Sequence, residues 1–436
     1  MACYLLVYDA RLNHDRGTTM FKTTQSKLNI RKIIEGESVT ALYQPIISLK
    51  RKGLIGFEGL AHGVYPDNKA VIPAEELSLA ASQGGLSLAL DRLRRKKVLE
   101  QFKPIQEAYP DTMLTLSFDG SILGEEVEGS GHLIQTVKNM GLNPWNICIE
   151  IIESKVDNVD ELQKFVDTYR DYGFLIALED VGTGHFNLNH IVLLKPDIMK
   201  VDRSLIEGIQ DNFYKQQILK SLVFLCRTLG TMIIAEGVET KEEALTVLQL
   251  GADMLQGDYF SKPQEPSQSL QESYTDKITD LAATFRTGVG KKIRIKRVNY
   301  TKYNSMIEEL LTDLSQTSAS AFDLKLFQAA ARLPFIECFY IIDEKGIQET
   351  KTYFSKNEDL HNNKLMFRPA PKGTDHSMKD YYYMLIEDGV EKSYITEPYL
   401  SMASGNLGVT ISTLFTDTLQ KKYLFCVDIK AEKSVY

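Results

Sequence analysis

Eight polar side chains between residues 58 and 256 could do chemistry together. Glu58 ends LIGFE, Asp119 ends MLTLSFD, Glu150 ends NICIE, and Glu179 and Asp180 end FLIALED. Lys200 sits in IMKVD, Glu236 ends MIIAE, and Gln256 follows ADML. Each comes at the end of a short apolar run. One acid in such a place means little, because it can cap the next helix. Six carboxylates gathered on one rim are different, because they repel unless cations sit among them. Oxygen donors alone select hard ions such as Mg²⁺ or Mn²⁺. Two such ions suit in-line attack by water on a phosphodiester. Lys200 also admits a Schiff-base reading, but that needs a desolvated amine, and the neighbouring acids oppose it.

The elements that must position these groups follow a steady rhythm. Apolar runs fall at 41–47, 54–60, 113–118, 146–151, 174–178, 197–201, 231–235 and 252–255. Segments of helical period lie between them, at 73–82, 160–172, 212–229 and 241–250. Thr240 followed by Glu243 predicts a capping box at the start of the last. Buried, non-alternating strands separated by helices predict a parallel sheet covered by helices. Eight repeats in about 240 residues predict an α/β fold, a (β/α)8 TIM-like barrel, with the polar residues at the C-terminal rim where barrel sites gather.

Composition bounds the rest. The chain has 436 residues, 58 acidic and 50 basic, for a net charge of −8. That balance argues against a protein that holds nucleic acid by neutralising phosphates. The five cysteines, Cys3, Cys148, Cys226, Cys338 and Cys426, include no CxxC pair, which favours a reducing compartment over a disulfide framework. No apolar run approaches ~18 residues, so no membrane span is expected. Residues 1–26 read as a leader outside the folded unit, with Met20 as an alternative start. The barrel is expected over 27–265, a helical connector of one or two helices over 266–319, and a smaller α+β domain over 320–436. In that domain strands are expected at 335–343, 381–387, 394–397, 407–414 and 423–429, with turns at Asp388-Gly389 and Gly405-Asn406. The basic run at 291–297 reads as a solvated helix face, and Trp145, the one tryptophan, as a packing residue.

Glu58-Gly59-Leu60 within YQPIISL…GFEGL resembles the signature of EAL-domain cyclic-di-GMP phosphodiesterases. The resemblance continues in order through ICIEIIES, LIALEDVGTGHFNL, LKPDIMKVD, IIAEGVET and LQGDYFSKP. It implies a modified barrel whose first strand runs antiparallel to its neighbour, a homodimer, and hydrolysis of cyclic-di-GMP to pGpG with two Mg²⁺ or Mn²⁺ ions. It places Glu58, Asp119, Glu150 and Glu179 on the first ion, and Glu179, Asp180 and Glu236 on or beside the second. Lys200 would orient the water, Gln256 and Leu60 would meet the substrate, and Glu153 would fix the loop after Asp180. Four positions depart from the pattern. Asp119 stands for the usual Asn, Glu179 for the usual first Asp of the DDFG block, Val181 for the Phe of that block, and His62 for the Arg that meets a substrate phosphate. Glu179 reaches about one methylene further, and displacements near 1 Å can cost ~100-fold in rate. His62 lacks the bidentate fork of Arg. These departures keep a second reading open, a weak or inactive protein that serves as a cyclic-di-GMP receptor or scaffold.

The C-terminal blocks FYIIDEKG, RPAPKG…DYYYMLIEDG, YITEPYLS and GVTIST resemble Cache- or PAS-like sensor modules. That resemblance places Arg368, Tyr381 and Tyr399 at a small-molecule ligand. With no membrane span, it implies a cytoplasmic bacterial signalling enzyme.

Overall fold

The computed structural model describes residues 28–65, 67–68, 70–118, 131–152, 159–184, 187–265, 272–333, 336–355, 367–386 and 392–430. They form two compact units, one running to Phe285 and one from Arg286.

Nine strands make the first unit's sheet. They are β1 (Val39–Ser48), β2 (Gly53–Val64), β3 (Val71–Ile72), β4 (Met113–Phe118), β5 (Ile147–Ile152), β6 (Leu175–Val181), β7 (Ile198–Val201), β8 (Met232–Ala235) and β9 (Met254–Gln256). The order is β1-β9-β8-β7-β6-β5-β4-β2-β3, and β1 also pairs β2, which closes eight strands into a barrel. From β2 through β4 to β9 the ladder is parallel. β1 is antiparallel to both neighbours. The chain dictates this, because four residues join β1 to β2 and a parallel pair needs a crossover of about a dozen or more. β3 extends β2 beyond the barrel.

Both faces of these strands are buried, which is why they read as unbroken apolar runs. One face carries Phe57, Leu114, Leu116, Ile149, Ile151, Ile176, Leu178, Met199 and Val201 into the layer shared with the helices. The helix Val159–Asp171 answers with Leu162, Phe165, Val166 and Tyr169, one stripe at helical spacing. The other face packs Ile46, Met113, Cys148, Ala177, Ile198, Ile234 and Met254 against one another. One side chain from each of seven strands thus plugs the barrel interior. The capping box at Thr240 and Glu243 is formed. Trp145 covers Gly173 but is 73% exposed.

A single helix, Glu272–Ser315, runs where one or two were expected. Its Tyr274, Ile278 and Leu281 belong to the first unit's core, and its Ile307, Leu310 and Leu314 to the second's. The described side chains of the basic run at 291–297 are exposed.

The second unit is an antiparallel sheet with helices. Its strands are β10 (Cys338–Asp343), β11 (Tyr353–Phe354), β12 (Ser393–Ile395), β13 (Tyr399–Leu400), β14 (Leu407–Thr416) and β15 (Lys422–Lys430), in the order β11-β10-β15-β14-β12 with β13 on β14. The helix Phe322–Ala330 packs Phe322 against Phe415 and Tyr423. The strand expected at 381–387 is instead a helix, Asp380–Ile386. Three successive tyrosines favour a strand by local preference. Burial of Tyr381, Tyr382 and Leu385 on one helical face overrides it. Asp388-Gly389 lies outside the described residues. Cys148, Cys226, Cys338 and Cys426 are buried thiols, not joined to one another in disulfides.

Candidate active site

Above the apolar plug the same strand faces turn polar. Side chains two apart on a strand share a face. Thr115, Glu150, Glu179, Lys200, Glu236 and Gln256 lie two residues past Met113, Cys148, Ala177, Ile198, Ile234 and Met254. Glu58 joins them from β2. The reversed strand β1 adds Gln44, which precedes Ile46 and pairs across from Glu58. The interior is thus layered, apolar below and polar above.

Lys200 stands at the centre of this layer and is fully buried. Its Nζ lies 2.5 Å from Glu150 Oε1, 2.6 Å from Glu236 Oε1, 3.3 Å from Glu58 Oε2 and 3.9 Å from Glu179 Oε1. Burial opposes its charge, but Glu150, Glu236, Glu58 and Glu179 outweigh that and hold the ammonium well above the usual lysine range. The carboxylates respond to burial in the other direction. Burial raises Glu150 and Glu179 and pushes Glu236 up to about 8, with Lys200 opposing each shift.

Neighbours fix the ring. Gln256 Nε2 donates to Glu58 Oε2, and to Gln44 Oε1 at 3.0 Å. Gln44 Nε2 donates in turn to Asp258 Oδ1 at 3.3 Å and to the Ser261 carbonyl at 3.1 Å. Ser117 Oγ donates to Glu150 Oε2 at 3.3 Å. β6 carries a bulge here, in which Glu179 and Asp180 together oppose the single Lys200 of β7. Asp180 sits at φ +59°, a conformation Asp tolerates better than most residues. The bulge sends two consecutive acids to the rim where a regular strand would send one.

The donor set fits a hard cation. Glu58, Glu150 and Glu179 each offer one oxygen, and these oxygens lie within 4.8 Å of one another. Glu179 Oε2 is buried with no hydrogen-bond partner among the described residues. A buried carboxylate oxygen without a donor is costly and suits a metal ligand.

The other expected residues fall as follows. Asp119 and Glu153 lie outside the described residues. Leu60 and His62 continue the Glu58 face of β2 and are half-buried. Burial lowers the His62 pKa, and Glu265 only partly opposes it. Other acids near the rim serve local structure. Asp202 Oδ1 accepts from Ser204 N at 2.8 Å as a helix cap, and Glu239 pairs with Arg203 at 2.8 Å. Sequence reasoning passed over Gln44 and Thr115. The signal for Gln44 is the polar residue at the start of the YQPIISL run. In the second unit, Arg368, Tyr381 and Tyr399 line one cavity of about 490 Å³.

A closed barrel with one strand antiparallel to both its neighbours, and oxygen donors for a hard cation around a buried lysine at its C-terminal rim, defines the class. The EAL domain family matches residues 28–263, and the chain belongs to that family. It is similar to the probable cyclic di-GMP phosphodiesterase PdeG of Escherichia coli, 30% identical over 243 residues, 54% of this chain and 46% of that protein. It is also similar to the signaling protein YkoW of Bacillus subtilis, 28% identical over 245 residues, 55% of this chain and 30% of that protein. The chain thus spans less than half the length of these two relatives. The uncharacterized EAL-domain containing protein YkuI of Bacillus subtilis is 22% identical over 396 residues, 89% of this chain and 94% of that protein. The YkuI crystal structure, in complex with c-di-GMP and calcium, matches with a TM-score of 0.77 over 93% of this chain and 100% of that chain. At 21% identity that likeness is one of fold. No helix among the described residues is long and apolar enough to cross a membrane.

Proposed function

We propose that this chain hydrolyses one phosphodiester bond of cyclic-di-GMP to give pGpG. One observation carries the reading: Glu58, Glu150 and Glu179, from three strands, bring oxygens within 4.8 Å of one another beside the buried Lys200. The name of PdeG and the c-di-GMP and calcium in the YkuI crystal support it.

Two Mg²⁺ or Mn²⁺ ions would be held by Glu58, Asp119, Glu150 and Glu179 on one side and by Glu179, Asp180 and Glu236 on the other. Such ions lower the pKa of water and offset phosphate charge. The chain's own groups do the rest. Lys200 keeps its proton and offers N–H donors that hold the attacking water in line. Gln256, itself held by Gln44, fixes one Glu58 oxygen. Leu60 and His62 flank the substrate, with His62 offering a donor to a phosphate oxygen. Glu153 steadies the loop after Asp180. The protein works as a cytoplasmic homodimer, and the C-terminal unit is a PAS- or Cache-like sensor that regulates the barrel.

His62, which lacks the two-pronged donor of an arginine, favours a second reading, a receptor that binds cyclic-di-GMP without cleaving it. One experiment decides. The protein is incubated with cyclic-di-GMP and Mn²⁺ and assayed for pGpG, with binding measured in parallel in Ca²⁺. Turnover that is lost in Glu58→Ala is the expected result. Binding without turnover selects the receptor, and neither binding nor turnover removes both readings.

A further inference from the structure

The C-terminal unit holds a cavity of about 490 Å³ for which the barrel chemistry has no use. Its deep wall is aromatic and acidic. Tyr340, Tyr381 and Asp428 line it and are each about 5% exposed or less. The rings of Tyr340 and Tyr381 meet edge to face with centroids 6.5 Å apart. His376 stacks on Tyr340 at 5.3 Å. Asp428 Oδ1 accepts from Thr410 Oγ1 at 2.7 Å, and the Tyr399 hydroxyl lies 2.5 Å from the same Thr410 oxygen. Only neutral groups donate to Asp428, and burial raises its pKa to about 6.

The rim has the opposite character. Arg368 lines the cavity mouth and is exposed, with no carboxylate partner among the described residues. Lys379 belongs to the same lining. Asp375, Asp380 and Glu397 also line the cavity, so acids outnumber bases there.

A buried carboxylate with no cation among the described residues, walled by three tyrosines, suits an ammonium group. A free guanidinium at the mouth suits a carboxylate, which it can grip with two N–H donors. The surplus of acids disfavours a dianion. The volume is that of a small-molecule pocket. We infer that this cavity binds a small zwitterion of the α-amino-acid class, with its ammonium at Asp428 among Tyr340, Tyr381 and Tyr399, and its carboxylate at Arg368. This ligand class extends the sensory reading of the C-terminal unit. A probe that binds without altering hydrolysis leaves the site standing and removes only the regulation.

The test is calorimetric titration of the full chain with each of the twenty common amino acids and glycine betaine. For any that binds, the matching amine and the matching carboxylic acid are titrated as well. At least one zwitterion is expected to bind one site per chain, with both single-charge analogues at least tenfold weaker. Arg368→Ala, which removes an exposed side chain and leaves the core intact, and the near-isosteric Asp428→Asn should each weaken binding tenfold or more. Glu58→Gln in the barrel should leave it unchanged. The inference is overturned if none of the probes binds, if binding in Arg368→Ala stays within twofold of the parent, or if Glu58→Gln abolishes it.

Discussion

Lys200 Nζ and Glu150 Oε1 approach to 2.5 Å, and neither side chain is exposed to solvent. A buried ion pair is weak support for stability as such, but removing one partner strands the other. Lys200→Met leaves Glu58, Glu150, Glu179 and Glu236 facing one another with no cation. The expected loss in EDTA is about 3–5 kcal/mol, read as a lower urea midpoint. A midpoint equal to the parent's contradicts the central role given to Lys200.

Divalent cations should stabilise the barrel through the same carboxylates. At about 100 times its dissociation constant, Mn²⁺ is expected to add about 2.7 kcal/mol, seen as a rise in melting temperature. Glu150→Gln and Glu179→Gln should each reduce that rise. Asp202→Asn should keep it, because the Asp202 carboxylate is spent on Ser204 N. An equal response in all four proteins would place the ion elsewhere.

Two acids at the opposite end of the barrel should affect stability and leave chemistry alone. Asp197 Oδ2 accepts from Ile176 N at 2.9 Å, and Asp253 Oδ2 accepts from Ile233 N at 3.1 Å. Each ties the start of one strand to the next. Asp197→Ala and Asp253→Ala orphan a backbone donor and should cost about 1–3 kcal/mol. Activity per folded molecule should match the parent. A change in KM at full folding would refute the assignment.

The second unit should weaken in mild acid because of His376. Gln348 Nε2 donates to the carbonyls of Thr350 and Ala370, which leaves its Oε1 to accept from His376 Nε2 at 2.9 Å. His376 Nδ1 must then accept from the Tyr381 hydroxyl at 2.8 Å. That arrangement is neutral, and burial lowers the pKa to about 4 from 6.5. A depressed folded-state pKa means stability is full above pH 6.5 and is lost as pH falls toward 4. The loss is on the order of 2–3 kcal/mol. Buried Asp428, raised to about 6, contributes with the opposite sign, losing stability as pH rises from 3.8 through 6. Comparing melting curves of the parent and His376→Gln between pH 4.5 and 7 isolates the histidine. A slope unchanged by the substitution would show that another group controls it.

The eight barrel strands were legible because burial on both faces leaves no polar alternation to blur them. The rim acids were legible because each parallel strand delivers its polar residue at the end of an apolar run. Gln44 escaped that rule because β1 runs the other way, so its site residue comes first. Thr115 was hidden behind Asp119, the acid that follows the same strand. The bulge at Glu179 and Asp180 has no signature in residue order; it shows only in register and in the positive φ of Asp180. The helix Asp380–Ile386 was misread because three adjacent tyrosines carry strand preference, and only tertiary burial reverses it.

The layered barrel interior bears on traffic as well as packing. With Ile46, Met113, Cys148, Ala177, Ile198, Ile234 and Met254 packed beneath it, the polar layer is closed from below. Under the proposed hydrolysis, ions, water, the cyclic dinucleotide and its opened product would all reach the polar layer from the upper rim. On that reading product would have to clear the rim before the next substrate could settle, so product release would compete directly with substrate binding.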